Sequence, residues 1–185
     1  MKKYKRCKVC GFIGEEKEMQ TVCPACGVPA TAFESYKYNI GEKRLAKLSL
    51  HLHPILVHFP QSIAILSLVF IIIAFATKGT VSSNLIMVEK LLSAILPVSV
   101  LFAMVAGIFD AKTRFTKQFG PRVKQKIIIG TVFLIASVAL AILLNVESFA
   151  TGGKVVIISL SLICFFCSAL LGKLGGTLLD AKLAG

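Results

Sequence analysis

The chain has 185 residues, of which 56% are hydrophobic and 16% are charged, and its mean hydropathy is +0.81. Ordinary soluble domains contain about 45–50% apolar and about 25% charged residues, so this composition excludes a soluble globule. The formal net charge is +12, but the basic residues concentrate beside the ends of apolar segments, as in membrane proteins, and we therefore expect no nucleic-acid partner.

The first 38 residues form a predicted metal module. A twelve-residue connection separates its two cysteine pairs, and a glycine follows each pair: Cys7-x-x-Cys10-Gly11 and Cys23-x-x-Cys26-Gly27. Glycine after the second cysteine allows the left-handed turn that points backbone N–H groups at the sulfurs. Four thiolates from two such turns give a tetrahedral site suited to iron or zinc. A module this small depends on the metal for much of its folding free energy.

The same stretch resembles a known family. Residues 4–12 and 23–29, together with Phe33, are similar to a rubredoxin, and more narrowly to the short rubredoxin-like domain at the C-terminus of rubrerythrins. The resemblance covers about the first 36 residues. It implies one mononuclear iron per chain, which shuttles one electron between the ferric and ferrous states and is held by four ligands: Cys7, Cys10, Cys23 and Cys26. A zinc ribbon uses the same spacing, so zinc stays as the alternative, with a structural and protein-binding role.

The module has two further features that bear on its partners and core. Residues 1–38 contain seven basic and four acidic side chains, about +3 in net charge, whereas soluble rubredoxins are usually acidic. This charge favours attraction to an anionic leaflet or, alternatively, docking of an acidic redox partner. Four aromatic residues are expected to cover the sulfurs: Tyr4, Phe12, Phe33 and Tyr36.

Residues 39–52 are a charged linker, with a short interfacial helix expected in it. Residues 53–185 form a predicted four-helix transmembrane domain, with spans at about 54–76, 85–109, 126–144 and 154–174. Each span is long enough to cross a bilayer at 1.5 Å per residue. Pro60 either kinks the first helix or begins it. A turn at Gly152-Gly153 separates the last two spans.

Basic residues predict the orientation of these spans. Eleven of them flank the ends that face the N-terminus: Lys43, Arg44, Lys47, Lys112, Arg114, Lys117, Arg122, Lys124, Lys126, Lys173 and Lys182. Only three face the other way: Lys78, Lys90 and Lys154. The positive-inside rule therefore predicts a multi-pass protein of the inner (cytoplasmic) membrane with both termini and the metal module in the cytoplasm.

Polar residues gather at the predicted cytoplasmic end of the bundle: His51, His53, His58, Gln61, Asp110, Lys112, Lys126, Lys173 and Asp180. Ionisable groups near membrane depth are costly and indicate function. A bis-histidine haem is disfavoured because all three histidines lie on one predicted helix. A quinone headgroup held by His53, His58 and Asp110 is one interpretation; the other is that these groups satisfy helix ends and one another.

The membrane half resembles bacterial four-helix membrane proteins of unassigned activity. Their first helix opens with His-Pro-x-x-Val-His-Phe-Pro, which matches residues 53–60 here. Residues 106–110 and 174–176 are similar to the glycine-containing ends of the family's second and fourth helices. Many members have a histidine where the third helix opens, but this chain has Lys124-Gln125-Lys126, which weakens any transfer of a metal or haem site. The resemblance therefore supports topology more than function.

Taken together, these features predict an all-α membrane bundle of four transmembrane helices with a small, β-rich, rubredoxin-like or zinc-ribbon module at the N-terminus. The predicted function is a membrane-anchored electron carrier, with the lipid bilayer and an unidentified redox protein or quinone as partners. Since no nucleophile–base pair or phosphate-binding loop appears, electron transfer is favoured over independent catalysis. Cys164 and Cys167 are interpreted as small buried hydrophobes, and a homo-oligomer stays open.

Overall fold

The computed structural model describes residues 3–37, 39–50, 52–115, 120–146 and 151–179, and the side chains of the last helix from 152 to 176. The chain divides into two compact units near residue 43. Four residues used in the sequence predictions lie outside the described residues: His51, Lys117, Asp180 and Lys182.

The N-terminal unit is a three-stranded antiparallel sheet. Its strands are β1 (Tyr4–Cys7), β2 (Ile13–Glu15) and β3 (Phe33–Tyr36), in the order β2-β1-β3. A short 3-10 helix, Ala30–Ala32, leads into β3. Cys7 lies opposite Phe33 at the end of β1. The central strand of the sheet therefore ends at the first cysteine of the site.

A very small core holds this sheet together. Cys7, Met19 and Cys23 are buried, and three partly buried side chains pack against them: Phe12, Val28 and Phe33. Of the four aromatic residues expected to cover the sulfurs, Phe12 and Phe33 belong to this core. Tyr4 and Tyr36 lie opposite each other in the β1–β3 register. Two of the three central side chains are cysteines, so the core and the candidate metal site are one structure.

The second unit is a bundle of four long helices preceded by a short one. The bounds are α1 (Glu42–Leu48), α2 (Leu52–Ala76), α3 (Thr80–Arg114), α4 (Pro121–Val146) and α5 (Thr151–Leu179). Each long helix packs against the next one in the chain, and α5 closes the ring against α2. Among the described residues, four helices are long and apolar enough to cross a membrane. The predicted fold class is confirmed.

The helices extend beyond the apolar stretches from which the spans were predicted. The expected turn at Gly152-Gly153 is wrong, because both glycines lie in the first turn of α5. The first four N–H groups of a helix have no partner within it, so glycine weakens that turn less than it would an interior one. Pro60 lies inside α2 rather than at its start. The hydropathy of the sequence falls where a helix leaves the lipid, but the backbone hydrogen bonds of the helix continue beyond that point. The helices are therefore longer than the spans predicted from hydropathy.

Serine side chains are buried inside the bundle among apolar ones, and many large apolar side chains face outward. The buried serines are Ser67, Ser93, Ser99, Ser137, Ser161 and Ser168. Five of them donate to a carbonyl three or four residues earlier in their own helix. In contrast, Phe102, Ile128 and Ile135 are 62 to 64% exposed. Large apolar side chains on the outer surface and small polar ones inside are what helix packing in lipid requires.

Two polar contacts tie elements of this unit together. Ser67 of α2 donates a 2.5 Å hydrogen bond to Oε2 of Glu89 in α3, and both residues are buried. At the opposite end of α3, Nε and Nη2 of Arg44 donate 2.7 Å bonds to the carbonyls of Thr113 and Arg114. The last carbonyls of a helix have no partner within it, so Arg44 attaches the short helix α1 to the end of α3.

Candidate metal centre and a polar cavity

The four N-terminal cysteines come from two nearly identical turns. In the first, the N–H of Cys7 donates to the carbonyl of Phe12 at 2.8 Å and the N–H of Gly11 donates to the carbonyl of Cys7 at 2.9 Å. In the second, Cys23 donates to Val28 at 2.8 Å and Gly27 donates to Cys23 at 2.9 Å. The repeated pattern places the two cysteines of each pair in equivalent positions.

Glycine is required at one position in each turn. Gly11 has a φ of 77° and Gly27 has a φ of 74°, and a Cβ at either position would meet no atom within 4 Å. The need for glycine is therefore conformational rather than steric, since a side chain has ample space but the left-handed backbone disfavours it. This is the role that the sequence pattern assigned to both residues.

The two turns bring all four sulfur atoms within 4.8 Å of one another. The Sγ atoms of Cys7 and Cys26 are 3.8 Å apart, and those of Cys10 and Cys23 are 3.7 Å apart. A tetrahedral ion with metal–sulfur bonds of about 2.3 Å separates its ligands by roughly 3.8 Å. The two sulfur pairs therefore have the separation that a single tetrahedrally coordinated metal ion requires, and the four cysteines are close enough to share one ion.

The pKa values of two of these cysteine thiols also favour binding of a metal cation. Burial raises the pKa of Cys23, but the N–H groups of Cys26 and Ala25 outweigh it and lower that pKa to about 7. The N–H of Val28 lowers the pKa of Cys26, but burial and the other cysteine thiols outweigh it and raise that pKa to about 12. The neighbouring thiols thus oppose ionisation of Cys26, and a bound metal cation removes this opposition.

Burial divides the four ligands into two pairs. Cys7 and Cys23 are buried, whereas Cys10 and Cys26 are exposed. Each turn contributes one ligand of each kind, so the apolar core covers one side of the site and solvent reaches the other. Met19, which is fully buried against the sulfurs, was not foreseen. It is the one large apolar side chain in the polar stretch 15–21, and this contrast could have revealed it.

The bundle contains a second candidate site, a cavity of about 330 Å³. It lies where α2 and α4 begin and where α3 and α5 end. Of the polar cluster predicted there, His53, His58, Gln61, Asp110 and Lys126 line it. Lys112 and Lys173 are exposed residues outside that lining. The structure therefore brings together the three residues proposed for a quinone headgroup and adds Gln61 and Lys126 to them.

Hydrogen bonds link this cluster across four helices. His53 Nδ1 lies 3.1 Å from the carbonyl of Ala103 and its Nε2 lies 3.4 Å from Nζ of Lys126. Gln61 Nε2 donates to the carbonyl of Ser168 at 3.2 Å. Within α3, Nε of Arg114 lies 3.6 Å from Oδ2 of Asp110 and forms an ion pair with it.

The other cysteine pair differs from the metal centre. Cys164 and Cys167 are both buried, and they belong to the main apolar core of the bundle together with Phe133 and Leu96. Among the described residues, the four N-terminal cysteines form the one group able to hold a metal ion. The interpretation of Cys164 and Cys167 as packing residues agrees with these contacts.

Two family profiles match the chain. The one described as "Rubrerythrin, rubredoxin-like domain" matches residues 6–34, which confirms the resemblance noted for the metal module. The one described as "Predicted membrane protein (DUF2231)" matches residues 49–182, a range that contains all four long apolar helices, α2 to α5. No curated protein and no solved structure matches the chain.

Proposed function

Because the chain belongs to the DUF2231 family of predicted membrane proteins and carries a rubredoxin-like domain, we propose that it is a membrane-anchored carrier of single electrons. The observation that carries the proposal is the set of four sulfurs, all within 4.8 Å of one another, in a rubredoxin-like fold. Cys7, Cys10, Cys23 and Cys26 would hold one iron ion. Bound there, iron supplies a ferric–ferrous couple, whereas zinc has no redox chemistry.

The protein's own groups are arranged to support a charged thiolate site. N–H groups of Ala25 and Cys26 act on the sulfur of Cys23, and the N–H of Val28 acts on the sulfur of Cys26. Such donors disperse negative charge on the ligands and tune the reduction potential. The exposed sulfurs of Cys10 and Cys26 offer a partner protein close approach, while buried Cys7 and Cys23 hold the site to the core.

The test is an absorption spectrum of the full-length protein purified in detergent, before and after dithionite, with metal analysis of the same sample. The proposal expects thiolate-to-iron charge-transfer bands that bleach on reduction and about one iron per chain. A colourless zinc protein that refuses iron on reconstitution would contradict it and favour a structural zinc ribbon. The Cys164→Ser variant is the matched control, since it removes a cysteine outside the site and should leave the spectrum unchanged.

We also propose that the metal module and both termini lie in the cytoplasm, at the inner membrane. The support is the charge asymmetry of the helix ends, with eleven basic residues on one side and three on the other. Reporters fused before Lys3 and inserted at Gly79, between α2 and α3, test the orientation. The proposal expects cytoplasmic activity from the first and periplasmic activity from the second, and the reverse pattern would overturn it.

A further inference from the structure

The cavity in the bundle has an apolar wall and a polar end. Val57, Val100, Met104, Phe133 and Leu171 line the wall. Its volume of about 330 Å³ falls in the range of small-molecule pockets, which combine apolar walls with a few placed polar groups. An occupant of this space must therefore present a mainly apolar body and a small polar group.

Lys126 is the side chain whose charge most needs explaining. It is half-buried, and a lysine ammonium has three N–H donors. Among the described residues, its one hydrogen-bond partner is Nε2 of His53, at 3.4 Å. The nearby carboxylate of Asp110 is paired with Arg114 at 3.6 Å. Lys126 thus keeps donors to spare at the edge of an apolar cavity, where an unused cation is costly.

His53 is held so that it supports this lysine. The nearest acceptor to its Nδ1 is the Ala103 carbonyl, 3.1 Å away, so Nδ1 carries the proton and Nε2 is left to accept from Lys126. Close packing keeps the ring in place, because a Cβ on Gly107 would lie 2.9 Å from His53 Cε1. His53 is therefore a positioning residue, and Lys126 is the group presented to an occupant.

Gln61 of α2 supplies a second donor. One N–H of its amide donates to the Ser168 carbonyl at 3.2 Å, which leaves the other N–H of the same nitrogen available. Gly172 makes room for this amide, since a Cβ there would lie 2.9 Å from Gln61 Nε2. Two donors from different helices thus border the same cavity.

We propose that this cavity binds the ring of a quinone, with a ring carbonyl accepting hydrogen bonds from Lys126 and Gln61. A quinone combines a flat apolar body with neutral oxygen acceptors, which suits one cation, one amide and apolar walls. Among the described lining residues, Arg114 pairs with Asp110 and leaves Lys126 as the remaining lysine or arginine. One ammonium beside apolar walls suits a neutral acceptor better than a phosphate, whose several charged oxygens need more donors, and a phospholipid is the competing outcome of the test. The residues that the sequence suggested for a quinone, His53, His58 and Asp110, also line this cavity, and the proposal adds Lys126 and Gln61 as the hydrogen-bond donors.

The proposed quinone site is formed by residues of the helical bundle alone, and it goes beyond the proposed electron-carrier function. It is tested with the full-length protein in proteoliposomes containing a light-activated azidoquinone, followed by mass spectrometry of the labelled peptides. We expect labelling of the cavity-lining parts of α2 and α4 that excess short-chain ubiquinone suppresses. The chain contains no tryptophan, so intrinsic indole fluorescence cannot replace the labelling readout.

Two variants and one control make the test specific. Lys126→Met should reduce the competed labelling about tenfold or more, as expected for loss of a charged hydrogen bond. Leu171→Trp fills the cavity, leaves the lysine in place and should have the same effect. Lys124→Met removes an exposed charge two residues away on α4 and should leave labelling unchanged.

Several results would overturn the proposal. The first is labelling that excess ubiquinone fails to suppress, and the second is labelling that persists in both cavity variants. The third is equal suppression of labelling by decanoate or phosphatidylglycerol and by ubiquinone, which would indicate a lipid site. A variant counts only if it elutes as a single species and keeps its helical circular dichroism. Metal content of the same samples separates this outcome from the carrier proposal, because iron can be present whether or not quinone binds.

Discussion

The metal module and the helical bundle are stabilised by opposite means. The module's core consists of Met19 and two cysteines, with three partly buried side chains around them, so its folding depends on what the cysteines bind. The bundle has two apolar clusters between its helices and a surface of large hydrophobic side chains. Its helices are stabilised by lipid and by one another.

This difference shows where each unit can tolerate change. In the module, ligand and core residues coincide, so few substitutions should leave it folded. In the bundle, polar contacts such as Ser67 with Glu89 sit among many apolar ones, so single losses should be modest.

Replacing a buried cysteine ligand should unfold the metal module and leave the helical bundle folded. In Cys23→Ser, we expect loss of the metal and of the module's fold, because structural metal binding supplies about 10–16 kcal/mol in comparable small domains. The bundle should keep its helical circular dichroism and its thermal midpoint. Metal analysis and amide hydrogen exchange of both units measure this. Cooperative melting of the helices together with the module would contradict the independence of the units.

Truncating Met19 tests whether the module has any core besides its ligands. Met19 is fully buried, and Met19→Ala should destabilise the metal-bound module by about 2–5 kcal/mol through lost burial and a cavity. Metal release during denaturant titration measures the change. Met87 is 67% exposed on the bundle, so Met87→Ala is the matched control and should have no effect. Equal release from wild type and Met19→Ala would show that coordination alone holds the module.

Adding one methyl group to Gly107 tests the packing of the bundle. Because the new Cβ would lie 2.9 Å from a histidine ring held by hydrogen bonds, Gly107→Ala should destabilise the bundle by about 1–3 kcal/mol. Gly172→Ala creates an equally short contact, but with the end of the flexible Gln61 side chain, so it should cost less. Thermal unfolding in detergent compares the two. A larger loss in Gly172→Ala would contradict the rigid placement of His53.

The smallest effect should come from the glycine of the first cysteine turn. Gly11→Ala places a Cβ in open space but at a φ of 77°, so we expect about 1 kcal/mol of backbone strain. Faster metal loss to a chelator, with an unchanged spectrum, is the measurement. Gly41→Ala, where space is also open and φ is not positive, controls for adding a methyl group. Identical loss rates in the two variants would show that the turn does not require glycine.

Local patterns in the sequence were sufficient for the metal centre and for the number of long helices. Cysteine spacing predicted the convergence of the four sulfurs, because a turn of four residues determines the positions of its own ligands. The error at Gly152-Gly153 has the opposite cause. Glycine pairs usually indicate a turn, but the first turn of α5 tolerates them because its N–H groups lack helical partners in any case.

Packing between distant segments was decided only by the tertiary structure. The sequence placed His53, Gln61, Asp110 and Lys126 at one end of the bundle, because charge and hydropathy determine which end of a helix meets water. It did not determine that Lys126 would contact His53, 73 residues away, or that Gln61 would donate to the carbonyl of Ser168. Those contacts depend on the rotation of each helix about its axis, which is set by the packing of all four helices together.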